Sequence, residues 1–86
     1  MCTMYEEFEK KLNPNGGKDR FDKLLWRIIH HQKIDGYIPE YQFRHAVIKK
    51  LLSMDRIPND AMIMVIMKRV LREERKKGPL LPEELD

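Results

Sequence analysis

The chain has 86 residues, a net charge of +3, 42% apolar and 36% charged side chains and one cysteine. That composition fits one ordinary soluble globular domain and leaves no length for two cores. The lone Cys2 excludes an intramolecular disulfide and cannot alone build a structural zinc site, and a reduced thiol suits a cytosolic compartment. No apolar run approaches the ~20 residues of a membrane span, and no basic-then-apolar leader opens the chain. A cytoplasmic, intracellular protein with no membrane partner is therefore expected. Residues 1–39 carry seven basic and six acidic side chains, residues 40–77 carry ten and five, and the tail carries only Glu83, Glu84 and Asp86. A basic second half with an acidic tail is the main electrostatic feature.

Thr3-Met4-Tyr5-Glu6 reads as a capping box, with the Thr hydroxyl on a free N–H and Glu6 reaching back. Tyr5, Phe8 and Leu12 then follow at i, i+3, i+7, one helical face. Asn13-Pro14-Asn15-Gly16-Gly17 ends that helix. A second helix starts near Asp19, and Phe21, Leu24, Leu25, Ile28 and Ile29 fill every apolar position of the helical template. Asp35-Gly36 marks a turn, and Pro39 suits the first position of a third helix, where its missing N–H costs nothing. Tyr41, Val47, Ile48, Leu51 and Leu52 give that helix a broad apolar face, with Phe43 and Ala46 beside it. Ile57-Pro58-Asn59-Asp60 breaks the helix and caps a fourth, running from about Asp60 to Lys77 and closed by Gly78-Pro79. No segment alternates with period two over more than a few residues, so strands are not expected. The predicted fold is all-α, a single bundle of four helices over residues 1–86. Its first helix and loop occupy 1–18, its core helices 19–77, and an acidic, mobile tail 78–86.

Ala61-Met62-Ile63-Met64-Val65-Ile66-Met67 has no polar face. A surface helix keeps one side charged, so this run must be enclosed, either by its own chain or in part by a partner. A domain of this size buries only about 60–65% of its unfolded surface, which favours the partner. Methionine suits adaptable contacts. Trp26 lies off the second helix's apolar stripe, as interface anchors do, unless it packs under the first helix. Met62, Met64, Met67 and Trp26 are accordingly the expected protein-interface residues. The expected function is a non-enzymatic regulatory or adaptor module that binds another protein, including itself as a homodimer.

Two local resemblances bear on alternatives. Asp35-Gly36-Tyr37-Ile38 with Gln42-Phe43-Arg44-His45 resembles the second half of an EF-hand loop and its exiting helix. His31 and Lys33 stand at ligand positions, however, and Gln42 replaces the closing glutamate, so calcium is excluded. The third and fourth helices with their turn resemble a helix-turn-helix, and Met67 to Gly78 resembles the later half of a winged-helix recognition helix. Base readout uses polar residues in the first turns of that helix, where this chain has Met62, Ile63, Met64 and Val65. Sequence-independent phosphate contact survives that objection: Arg44, Lys49, Lys50, Lys68, Arg69, Arg72, Arg75 and Lys76 are the expected nucleic-acid contacts of the alternative reading.

Adjacent His30 and His31 point about 100° apart on a helix, so both do not face one ion; His31 and Asp35 form an i, i+4 pair able to chelate only if the helix runs that far, and no metal or cofactor is expected. There is no nucleophile–base arrangement, glycine-rich phosphate loop or paired buried carboxylates. A packed bundle this small leaves little room for a substrate pocket. An enzyme with a small-molecule substrate is the least expected class.

Overall fold

Helix-forming segments punctuated by proline, asparagine and glycine give four helices in the computed structural model, which describes the backbone of residues 3–12, 19–30 and 38–84. They are α1 (Thr3–Leu12), α2 (Asp19–His30), α3 (Glu40–Leu52) and α4 (Asp60–Lys77), followed by a 3₁₀ turn at Pro82–Glu84. No strand occurs among the described residues. The side chains of residues 3–5, 19 and 82 are outside the described set. Expectations placed on Cys2, the Thr3 cap, Tyr5, the 13–17 turn, the Asp19 cap, His31, Lys33, the 35–37 turn and Asp86 therefore fall on groups that are not described.

The caps of α4 act as its sequence implies. Asn59 is extended (φ −72°, ψ 173°) and its side-chain oxygen accepts from the Met62 amide at 2.9 Å, satisfying a first-turn donor. Gly78 adopts φ 87° and donates its N–H to the Glu74 carbonyl at 3.0 Å, a backbone state that side chains with a Cβ rarely adopt. Pro39 stands one position earlier than the sequence suggests. It is the N-cap of α3, extended at ψ 149°, and its carbonyl accepts from the Gln42 and Phe43 amides, both at 3.2 Å.

The core draws on all four helices: Phe8 and Leu12 from α1, Phe21, Leu24, Leu25 and Ile28 from α2, and Phe43, Val47, Ile48 and Leu51 from α3. From α4 come Ile63, Ile66, Met67, Val70 and Leu71. α4 packs against α2 and α3, and α1 packs on α3. α3 and α4 run antiparallel, because Gln42 near the start of α3 bonds to Glu74 and Gly78 at the end of α4. The Phe8 ring meets Phe21 edge-on at 4.6 Å between centroids, and the Lys11 ammonium donates to the Leu52 carbonyl at 3.0 Å and to that of Met54. Arg20 ties α2 to the start of α4 through the Asp60 carboxylate and the Pro58 carbonyl.

Of the two alternatives for the apolar run of α4, enclosure by the chain itself is the one the structure does not have. The seven-residue apolar run is not enclosed by its own chain: Ile63, Ile66 and Met67 are buried, Met64 is half-buried, and Ala61, Met62 and Val65 are exposed. The reason is geometric. The buried residues of α4 recur at i, i+3, i+4, i+7, i+8 from Ile63, a single stripe, and none of the other helices packs on the opposite side. Tyr41, assigned to the apolar face of α3, is likewise 42% exposed.

Candidate functional site

The side of α4 away from the core carries Met62, Val65, Arg69, Arg72 and Lys76, all exposed. Their spacing of 3-4-3-4 is that of a coiled-coil seam, so they form one straight stripe. It is divided along its length. Met62 and Val65, 48% and 49% exposed, make the first half apolar with Ala61 beside them. Arg69, Arg72 and Lys76, flanked by Lys68, make the second half cationic. None of these four cations has an ion-pair partner among the described residues.

The four expected interface residues do not form one surface. Met62 lies on the outer stripe, and Met64 packs partly against the core. Met67 is fully buried, since it follows Ile63 by one turn on the inner stripe, and it presents nothing to a partner. Trp26 does not pack under α1. It is 63% exposed and stacks on His30, with ring centroids 4.6 Å apart and planes within 13°. It lines a surface pocket of about 570 Å³ with Asp22, Lys23 and Arg27 of α2 and Glu40 and Arg44 of α3.

The expected basic surface also divides. Arg44 sits in that α2–α3 pocket, 2.9 Å from the Asp22 carboxylate and 3.4 Å from Glu40, with its guanidinium over the Phe21 ring. Lys49 and Lys50 line a second pocket, of about 460 Å³, whose walls include Glu73, Glu74, Lys77 and Glu84. Arg75 is half-buried and already engaged. Only Lys68, Arg69, Arg72 and Lys76 remain as one open cationic face. The two pockets differ from the expectation of little room: both are open surface clefts, one between α2 and α3 and one between α3 and the later part of α4 with the segment after it. Among the described residues no three metal-ligating side chains cluster, and no helix is long and apolar enough to cross a membrane.

No protein-family model, curated protein or solved structure matches this chain.

The residues that sequence reasoning missed are Gln42 and Glu74, the two buried polar side chains among the described residues. Gln42 has no exposure at all. Its Nε2 donates to Glu74 Oε1 at 2.9 Å and to the Gly78 carbonyl at 3.0 Å, and its Oε1 accepts from the Leu80 amide at 2.8 Å. Lys77 Nζ reaches the other Glu74 oxygen at 3.1 Å, and the Tyr41 hydroxyl donates to the Leu80 carbonyl at 2.6 Å. Together these bonds hold the segment after α4 against the first turn of α3. Glu74 was legible: continuing the stripe from Val70 and Leu71 by one step lands on it. Gln42 carried no such signal.

Proposed function

We propose that this chain is a non-enzymatic adaptor that binds another protein through the outer stripe of α4, and that the partner presents a helix apolar at one end and acidic at the other. The observation that carries the reading is the stripe itself, two half-exposed apolar side chains followed by unpaired cations at seam spacing. Completing the burial of Met62 and Val65 contributes about 1 kcal/mol each, so these two side chains alone give a weak contact. The cations add orientation and speed of encounter with an acidic partner.

A second copy matches the stripe less well than an acidic helix. Parallel pairing sets Arg69, Arg72 and Lys76 against themselves, and antiparallel pairing sets Met62 and Val65 opposite Arg72 and Lys76. Like charges held face to face destabilise such a seam. Homodimerisation then rests on the first turns of α4 alone, well below the ~800 Å² per partner of a stable interface.

The test uses a labelled synthetic helix with leucines in one half and glutamates in the other at the same spacing, followed by fluorescence anisotropy. Binding should weaken by about tenfold or more on Val65→Asp and on Arg69→Glu/Arg72→Glu, and a lysine-for-glutamate probe should not bind. Equal binding of both probes, or no effect of the charge reversal, would sink the proposal. Sedimentation equilibrium on the free chain decides self-association; a dimer that Val65→Asp dissolves makes the second copy the occupant.

The unpaired cations support one other reading, sequence-independent contact with duplex phosphates. With four cations rather than eight, the log–log dependence of affinity on salt should have a slope of about −3.6. Arg69→Glu/Arg72→Glu should weaken all duplex sequences alike. Absence of duplex binding at low salt removes this reading.

A further inference from the structure

The pocket between α2 and α3 has features that the outer stripe of α4 does not explain. Trp26 is the largest exposed side chain of the described residues, and a second ring lies against its indole. His30, one turn later on α2, stacks parallel to it at 4.6 Å. Trp26 lines the pocket, His30 does not, and the indole remains 63% exposed, so ring surface stays open beside the cleft. A flat aromatic surface with one side already stacked is suited to extending the stack by another planar ring.

The charges around it are sorted. Asp22 and Glu40 are both engaged by Arg44, at 2.9 and 3.4 Å. Lys23 and Arg27 line the same pocket, are exposed, and have no ion-pair partner among the described residues. They stand at i, i+4 on α2, one turn apart and on either side of Trp26 in sequence, so both project on the face that carries the ring. The described lining of the cleft thus holds an exposed π surface, two cations without an ion-pair partner, and two carboxylates that share the Arg44 guanidinium, so that its cations outnumber its anions by three to two. Its volume of about 570 Å³ falls within the ~300–1,000 Å³ range of small-ligand sites.

From this geometry we infer that the α2–α3 pocket binds a nucleotide unit, with the base stacked on Trp26 and its phosphate held by Lys23 and Arg27. A planar ring alone would leave the two cations unused, and a phosphate alone would leave the indole unused. The Asp22 and Glu40 oxygens not occupied by Arg44 are acceptors at the pocket wall for the exocyclic amino group of a base. The unit is either a free nucleotide or one residue of a single strand; within a duplex its base is already stacked and paired.

Trp26 is the only tryptophan in the chain, so tryptophan emission, excited selectively over the tyrosines, reports on this pocket. Adenosine monophosphate and a single-stranded oligodeoxyadenylate should each be titrated at low salt, with inorganic phosphate, adenosine and a duplex of equal length as comparisons. Saturable quenching by the mononucleotide assigns a free nucleotide, and quenching by the oligomer alone assigns a single strand. Adenosine should bind about tenfold more weakly, and inorganic phosphate should not quench. Lys23→Glu/Arg27→Glu, both exposed and therefore compatible with folding, should weaken binding by about tenfold or more while circular dichroism is unchanged. Arg69→Glu/Arg72→Glu, on α4, should leave it unaltered. Absence of saturable quenching by both nucleotide probes overturns the assignment, as does quenching that survives reversal of Lys23 and Arg27. Duplex binding equal to that of the single strand also overturns it.

Discussion

Ile66→Asp is expected to abolish the cooperative unfolding transition, whereas Val65→Asp, one residue earlier, is expected to shift stability by less than about 1 kcal/mol. Ile66 belongs to the buried stripe of α4 between α2 and α3, at 7% exposure. An aspartate there has no cation or donor to meet it, and an unpaired buried carboxylate costs several kcal/mol. A domain of this length has a total stability on the order of 5–10 kcal/mol, so the substitution removes most or all of it. Val65 is 49% exposed and stands four residues before Arg69, so a carboxylate there stays in water and gains a favourable i, i+4 neighbour. Urea denaturation followed by helical circular dichroism separates the two. A wild-type midpoint for Ile66→Asp, or loss of folding with Val65→Asp, would show that the two faces of α4 have been assigned the wrong way round.

Gln42→Leu is expected to cost about 3 kcal/mol, more than any exposed substitution on α3. Its amide satisfies three groups at once: the Glu74 carboxylate, the Gly78 carbonyl and the Leu80 amide. Leucine has a similar volume but leaves all three without that partner. Unmet buried groups cost about 1–3 kcal/mol each, and more when charged; partial relaxation toward solvent at Leu80, which is only half-buried, limits the total. The decisive comparison is the double variant Gln42→Leu/Glu74→Met. Replacing both partners of a buried polar pair with apolar groups is often neutral or stabilising, so the second change should recover about 1–2 kcal/mol of the loss. Additive costs would mean that the pair is not coupled. The single variant should also release the segment after α4, read as faster amide exchange at Leu80 and Leu81.

The candidate surfaces were legible in the sequence only where an anomaly stood alone. Trp26 departs from the otherwise perfect apolar stripe of α2; that departure left two places open, the surface or the space under α1, and the structure has it at the surface. The apolar run of α4 gave the opposite lesson. Seven consecutive apolar residues say that no polar face exists, but they do not say which side of the helix will be covered. Read from the sequence, Met67 is as eligible for an interface as Met62, yet it is fully buried. The basic residues were grouped because they lie on two adjacent helices, yet their directions differ. Arg44 turns to Asp22, while Lys49 and Lys50 share a cleft with Glu73 and Glu74.

Helix identity and limits were determined by the sequence itself, because the causes are local. Apolar residues every three to four positions, the Asn59 side chain capping the Met62 amide, and Gly78 free to take φ 87° all act within a few residues of chain. The number of helices and the all-α class follow from the same signals. The packing order was decided by tertiary structure alone. Whether α4 is covered on one side or all round depends on where α1, α2 and α3 can lie, and Gln42 gains its role only when antiparallel packing brings Glu74, Gly78 and Leu80 to it across more than thirty residues of chain. A hydrogen bond between groups that distant leaves no periodic trace, since neither residue's neighbours in sequence are altered by it.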